Sequence, residues 1–373
     1  MSHITPPRFL SPTFMPASKL NLVRNGQVPV YEQIAEHLKA RIAAGELVAG
    51  QKLPGIKLLA KSMGVNHLTL RQALRTLEEN RVVATESARG TFVVGNNPTQ
   101  LQVALVLPNL NESSSRLSAG VQEVMTQSKS TVDIFHYDEN DPLEREQINR
   151  LSAEGYDGAI VFPSLNPLSL KPLLQMLLDG YPLVFIDRAP GQFPCWSAWA
   201  DNFRGGYLAT ERLIQTGCKR IACVSTNVSG VHDRYEGFLR AMGDHHLPVD
   251  FNLVRQVEPR DEHIEETMDE WLKLAEPPTG IFFTNDFQAF RGLRHARERG
   301  KKAPADLRIV GFDDLSICGL STPALTTVRQ DFVGIGRTAA RLLAEQIGLP
   351  KEKRFSSARH ESIPVELVVR GSA

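Results

Sequence analysis

Cysteine is scarce in this chain, at four residues in 373, and none of the four has the paired spacing of a metal site. Cys195, Cys218, Cys223 and Cys318 read as buried free thiols of a reducing compartment, so neither a disulfide framework nor a zinc cluster is expected. Long apolar runs are also missing. No stretch approaches the roughly 18 residues of a membrane span, so no membrane partner is expected. The opening "MSHITPPRFLSPTFMPASK" lacks a charged segment followed by an apolar one, so no secretory leader is expected. Its Pro and Ser content suggests a disordered lead-in over 1–18. Together these absences point to a cytoplasmic protein.

Net charge is absent too, with 42 Lys and Arg against 42 Asp and Glu, but the balance is uneven along the chain. Residues 19–97 hold eleven basic and six acidic side chains, while the remainder of the chain is acidic in balance. A small basic module joined to a larger acidic one suits a nucleic-acid reader carried on a soluble body. The length allows two or three domains with proper cores.

In the first module, "VYEQIAEHLKARIAAG" places Tyr31, Ile34, Ala35, Leu38 and Ile42 on one helical face. A short helix follows, with Ile56, Leu59, Ala60 and Met63 inward and Gly64 closing it. Next comes "NHLTLRQALRTLEEN", where Leu70, Ala73, Leu74 and Leu77 form the apolar stripe. The opposite stripe holds Leu68, Arg71, Gln72 and Arg75, and Asn66 with Thr69 three residues on has the pattern of an N-cap. Helix, glycine turn and helix give helix-turn-helix spacing. "RVVATESARGTFVV" then reads as strand, turn and strand, a candidate wing with Arg89-Gly90 at its tip.

These motifs resemble the GntR-family DNA-binding module, whose pattern is approximately LPS-x-R-x-LA, GVSR-x-TVR-x-AL and GxGTFV. The chain departs at Gly55 and Lys57, where the family usually has Ser and Arg, and at Asn66-His67, where it has Ser-Arg. His67 cannot make the bidentate arginine contact to guanine, although imidazole can donate to a base or a phosphate, and Leu68 suits the methyl of thymine. The resemblance implies that Thr69, Arg71 and Arg89 hold phosphates and that Gly90 lets the wing approach. Lys57, His67, Leu68 and Gln72 are the candidates for reading bases, with Asn66 at the helix start. Arg75 reads equally as a solvated residue.

After a polar link at 96–101, a different pattern covers 102–373. Short apolar runs ("VALVL", "VDIFHY", "DGAIVF", "YPLVFID", "RIACVS", "TGIFFTND", "LRIVGFDD") alternate with helices near 142–153, 168–178, 203–215 and 287–299. Strands buried on both faces between helices argue for a doubly wound parallel α/β sheet, here in two lobes. The expected fold is therefore a winged helix-turn-helix (α+β, residues 19–95) followed by a two-lobed α/β body. Ligands of such sheets sit beyond the carboxyl ends of strands, where Asp187, Asn285, Asp313 and Gln330 fall. Carboxylates, amides and an arginine (Arg234) converging on a cleft suit sugar hydroxyls. At any one position the alternative, a helix cap or strand end, stays open.

"ADNFRGGYLATERLIQTGCKRIACVS", "DRYEGFLRAM", "FTNDFQAF", "IVGFDDLS" and "PALTTVRQDFVGIGRTAARLL" resemble the LacI/GalR repressors and their periplasmic sugar-binding relatives. The resemblance implies effector contacts from Arg234, Asn285, Asp313, Gln330 and Phe332, with Asp187 and Asp201 used more variably. Phe162 is a candidate aromatic face. Trp196 and Trp199 are alternatives for that face, or else pack across the lobes. A GntR-type reader on a LacI-type body is similar to arabinose-repressor-type regulators. The hinge helix of LacI relatives is replaced here by "VGNNPTQLQ", so the signal is expected to pass through this link.

The resulting expectation is a homodimeric repressor that reads palindromic double-stranded DNA and is released by a small neutral sugar, a pentose such as arabinose being favoured. No cofactor or metal is expected. An activator, or a regulator answering another small molecule, is the alternative. Fusion to an aminotransferase-like enzyme needs a Schiff-base lysine in a larger fold, which this chain lacks. A glycosidase needs a carboxylate separation that a sequence does not show, and a transport-associated binding protein would not carry the reader.

Overall fold

The computed structural model describes residues 22, 28–43, 46–48, 50–79, 82–86, 90–93, 101–109, 111–137, 143–164, 167–188, 194–226, 231–257, 263–354 and 358–373. The lead-in 1–18, the link 96–100 and Arg89 lie outside the described residues. The chain divides into two compact units, Met1–Gln100 and Leu101–Ala373.

The first unit contains α1 (Val30–Ala43), α2 (Ile56–Ser62), α3 (His67–Glu79), β1 (Val83–Glu86) and β2 (Gly90–Val93). Its core is the apolar stripe of each helix, with Ile34, Leu38, Leu59, Leu70, Ala73 and Leu77 almost fully buried against one another. Gly64 adopts φ +67° between α2 and α3, a left-handed turn that a Cβ would strain. β1 and β2 pair antiparallel from Val83 opposite Val93 to Glu86 opposite Gly90, so the expected wing is a true hairpin.

The second unit runs β3 (Gln102–Pro108), α4 (Glu112–Gln127), β4 (Thr131–Tyr137), α5 (Leu143–Ala153), β5 (Gly158–Val161), α6 (Pro167–Leu178), β6 (Leu183–Ile186) and β7 (Trp196–Ala200). It continues with α7 (Asn202–Gln215), β8 (Ile221–Thr226), α8 (Val231–Asp244), β9 (Val254–Val257), α9 (Ile264–Leu272), β10 (Gly280–Phe283), α10 (Asp286–Glu298), β11 (Arg308–Asp313), α11 (Ile317–Leu320) and β12 (Thr326–Gln330). It closes with α12 (Phe332–Gly348), α13 (Lys351–Arg354), β13 (Arg359–Ile363) and β14 (Val365–Val368).

Two six-stranded sheets result, in the orders β13-β7-β6-β5-β3-β4 and β14-β12-β11-β10-β8-β9. All pairs are parallel except β12 with β14. The chain crosses between the lobes at Asp201, Asp331 and Pro364, which separate β7 from α7, β12 from α12 and β13 from β14. Each sheet is buried on both faces. The first lies between α4/α12 and α5/α6, the second between α9/α10 and α7/α8. Trp196 and Trp199 do not pack across the lobes. Both sit on β7 inside the first sheet, where Trp196 joins the core and Trp199 stacks 3.8 Å from the His360 ring on β13.

Candidate ligand cleft and nucleic-acid interface

In the first unit, Asn66 Oδ1 accepts the Thr69 amide at 2.7 Å, the cap that starts α3. Burying Leu70, Ala73, Leu74 and Leu77 turns the other stripe outward, so His67, Leu68, Arg71, Gln72 and Arg75 are all exposed. Leu68 is 62% exposed, an apolar side chain with no place in this unit's core. With Tyr31 and Thr76, the side chains of Leu68, Arg71, Gln72 and Arg75 line a shallow groove of about 470 Å³. Thr69 is half-buried, and Lys57 is exposed on α2. Gly90 opens β2 at φ +112°, with Lys52 Cε close to where a Cβ would stand.

In the second unit the centre is Arg234, 5% exposed on the first turns of α8. α7 and α8 approach closely because Gly206 faces the Arg234 carbonyl and Gly237 faces that of Phe203, leaving no room for a Cβ at either glycine. Arg234 Nε donates to Asn202 Oδ1 at 2.8 Å, and Nη1 donates to the Thr284 carbonyl at 2.5 Å and to Asp313 Oδ1 at 3.3 Å. Its guanidinium carbon lies 3.7 Å from the Phe312 ring centroid. Gln330 Nε2 donates to the same Asp313 oxygen at 2.6 Å, while Gln330 Oε1 is buried without a partner, as is Thr284 Oγ1.

Three carboxyl groups near this cation are held above the ordinary value. Burial is the main cause raising Asp313, opposed by Arg234 and reinforced by Asp286 and Asp187. Burial likewise raises Asp187, with Arg234 and Arg188 opposing. Asp187, at the carboxyl end of β6 in the first lobe, therefore lies within electrostatic reach of Arg234 in the second. Asp187 and Asp313 both have left-handed backbones, φ +64° and +121°, as sharp turns leaving strand ends. Burial also raises Asp286, whose oxygens are taken by Thr327 Oγ1 at 2.6 Å and the Leu315 amide at 2.9 Å, a structural role.

The remaining expected residues have the following contacts. Asn285 and Asp201 spend side-chain oxygens capping α10 and α7, on the amides of Gln288 at 2.8 Å and Arg204 at 2.9 Å. Phe332 is buried in the first lobe's apolar cluster and lines a cavity of about 780 Å³ at the crossovers, with Arg116, Arg329, Gln330 and Pro364. Phe162 is half-buried, its ring 4.5 Å from the guanidinium carbon of Arg188. Arg188, Asn202 and Thr284 were not singled out from the sequence. The "IDR" stretch signals Arg188 weakly, as a charge directly after a buried strand. Thr284 contributes a backbone carbonyl to Arg234, which no residue type announces.

Acceptors (Asp187, Asp313, Gln330 Oε1) and donors (Arg234, Arg188, Thr284) gathered around this buried cation suit a ligand that offers both. Among the described residues no group of His, Cys, Asp and Glu could hold a metal ion, and no helix is long and apolar enough to cross a membrane.

Comparison with known proteins gives matches to both units. Residues 30–93 match the family model "Bacterial regulatory proteins, gntR family", and residues 210–373 match "Periplasmic binding protein-like domain". The ribose operon repressor of Halalkalibacterium halodurans is 29% identical over 90% of this chain and 95% of its own length. The arabinose metabolism transcriptional repressor of Geobacillus stearothermophilus is 27% identical over 92% and 98%. The HTH-type transcriptional repressor PurR of Haemophilus influenzae is 32% identical over 63% of this chain and 70% of its own. A crystal structure of a LacI family transcriptional regulator from Enterococcus faecium with bound ribose superposes with a TM-score of 0.59 at 26% identity, covering 73% of this chain and 98% of that one. These relatives are named as repressors and regulators, not enzymes.

Proposed function

Because this chain belongs to the LacI family of transcriptional repressors, we propose that it is a sugar-responsive repressor whose ligand is a small neutral sugar held in the Arg234–Asp313–Gln330 cleft. The observation that carries this reading is the mixed lining of that cleft. One buried guanidinium is shared between a carboxylate and a carbonyl, beside an amide oxygen with no partner. A hydroxyl can donate to Asp313 or Gln330 and accept from Arg234, whereas a fully ionised phosphate has no hydrogen to donate to Gln330 Oε1 or to a carboxylate. A pentose is favoured. The names of the ribose and arabinose repressors and the ribose in the related structure support it.

The second part of the proposal concerns DNA. The reader, over residues 19–95, is of GntR type rather than the helix-turn-helix of LacI relatives. The β1–β2 hairpin and the match over residues 30–93 support that assignment. A link at 96–101 joins it to the ligand-binding body at 102–373. His67, Leu68, Gln72 and Lys57 read bases, while Thr69, Arg71 and Arg89 hold phosphates. The protein acts in the cytoplasm as a homodimer on a palindromic operator, since one module offers few base contacts. Ligand-driven closure of the lobes releases it.

Isothermal titration with D-ribose, L-arabinose, D-glucose, ribose 5-phosphate and hypoxanthine tests the ligand class. Binding of a free pentose that also weakens operator binding is expected. Tight binding of the phosphate or the purine, with none of the free sugars, overturns it.

A further inference from the structure

The four residues Asp313–Ser316 leave β11 under unusual control from the opposite lobe. Asp313 and Asp314 are both left-handed, at φ +121° and +54°, so the backbone here is held by its surroundings rather than by its own preference. Asp313 points its carboxylate at Arg234 and Gln330 in the cleft. The next carbonyl, that of Asp314, accepts from Arg116 Nη1 of α4 at 3.2 Å. Leu315, 6% exposed, is buried in the apolar cluster of the first lobe, with Leu117 of α4 and Phe332 of α12. Ser316 gives both its donors to Glu112 of α4, the amide to Oε2 at 2.9 Å and the hydroxyl to Oε1 at 2.8 Å. Arg116 Nη2 closes the set on Glu112 Oε1 at 2.5 Å.

Glu112 and Arg116 belong to the first lobe, whereas the segment they grip belongs to the second, one residue from a cleft carboxylate. We propose that Glu112 and Arg116 are positioning residues for Asp313, forming a latch that fixes the backbone turn carrying it while the lobes are apposed. The pair is well made for this. Glu112, at the first position of α4, is favoured there by the helix dipole. Arg116, one turn later, keeps the carboxylate from swinging to solvent. Loss of the latch leaves the β11 terminus with polar anchors from its own lobe, Asp286 on the Leu315 amide and Arg329 and Arg370 on the Asp314 carboxylate, and with Leu315 still packed in the first lobe's cluster. The second lobe then stays folded and Asp313 keeps its Arg234 and Gln330 partners, while the 313–316 backbone that carries it is no longer fixed against the first lobe. The arrangement ties lobe apposition to ligand contact, which a ligand that selects the closed form requires.

The inference about Asp313 rests on the proposed ligand cleft, but the latch itself is testable without a ligand. In the full chain, Asp179→Cys in the first lobe and Lys219→Cys in the second give exposed sites for spin labels, and the four native thiols are buried. Double electron–electron resonance on labelled chain diluted into excess unlabelled chain, so that each dimer holds one labelled copy, should give one narrow interlobe distance for the otherwise unaltered chain. Glu112→Ala and Ser316→Ala should each broaden or lengthen it and speed hydrogen exchange across residues 313–316. Glu112→Gln, which keeps an acceptor for Ser316, should recover part of the effect. Circular dichroism unchanged from the parent identifies the variants as folded, and Ser316→Ala, an exposed hydroxyl deletion, provides the arm that folds regardless. With D-ribose and L-arabinose as probes, Glu112→Ala should weaken whichever sugar binds by about tenfold. If distance and exchange are unchanged in both alanine variants, the latch does not exist. If they change but sugar affinity does not, the positioning role is overturned. If the parent chain binds neither sugar, the ligand reading fails, and the two ligand-free measurements still decide the latch.

Discussion

The guanidinium carbon of Arg234 lies over Phe312, 3.7 Å from the ring centroid, with the ring supplied by the β11 residue just before Asp313. One strand end thus provides both the face that the cation rests on and the carboxylate it meets. A planar, delocalised cation fits such a slot, whereas an ammonium group would be a point charge without the fork that reaches Asn202 and Thr284.

Arg234→Ala should abolish ligand-induced release from the operator while leaving operator affinity in the absence of sugar unchanged. Arg234→Lys should restore little of the response. A gel-shift series with and without the bound sugar checks both. A lysine variant that responds like the parent would show that charge alone, without the Phe312 stack and the fork, is sufficient.

Stability should depend on pH through the raised carboxyl groups. Asp313 and Asp187 have folded values above the ordinary 3.8, so the folded state binds more protons than the unfolded chain between that value and the raised one. The sign follows from linkage: their contribution is fully present below the ordinary value and is lost as pH rises through the folded value. Melting curves from pH 4.5 to 8 should show this decline. Asp313→Asn should flatten it, because the amide cannot ionise in the cleft. An identical pH slope in the variant would mean that other groups carry it.

Arg71→Ala should weaken binding to operator and random DNA alike and lower the salt slope by roughly one. Leu68→Ala and His67→Ala should mainly relax base preference, by roughly 1–3 kcal/mol at the affected base pair. Fluorescence anisotropy over a salt series on the two DNAs separates these outcomes. Equal affinity of Arg71→Ala and parent for both DNAs would show that α3 is not the reading helix.

Gly206→Ala should cost roughly 1–3 kcal/mol, because the new Cβ meets the Arg234 carbonyl and must part α7 from α8. The same shift displaces Arg234, so ligand affinity should fall together with the melting temperature. Calorimetric melting and sugar titration on one preparation test the pairing of the two losses.

Much of this arrangement is written in local pattern. The stripes Leu70-Ala73-Leu74-Leu77 and Leu68-Arg71-Gln72-Arg75 determine which side of α3 is buried and which is exposed, because a helix repeats every 3.6 residues whatever surrounds it. The runs that became β3, β5, β6, β8, β10 and β11 are legible for a similar reason: strands covered on both faces must be apolar throughout. Asp187 and Asp313 could be named because they end such runs, and Gln330 because it ends the strand beside β11, where a parallel sheet leaves its open edge.

Tertiary structure decided what each polar residue does once there. Asn285 and Asp201 look in sequence like Asp313 and Gln330, yet their oxygens are spent on helix amides, because each precedes a helix whose first donors need an acceptor. Phe332 follows the crossover at Asp331 and turns into the first lobe's core, a choice set by how α12 packs on α4 and by no feature of the residue itself. The grip of Glu112 on Ser316 joins residues some two hundred positions apart. Local periodicity reports only which way a side chain faces. Which partner it finds depends on where the two crossed lobes bring distant strand ends together.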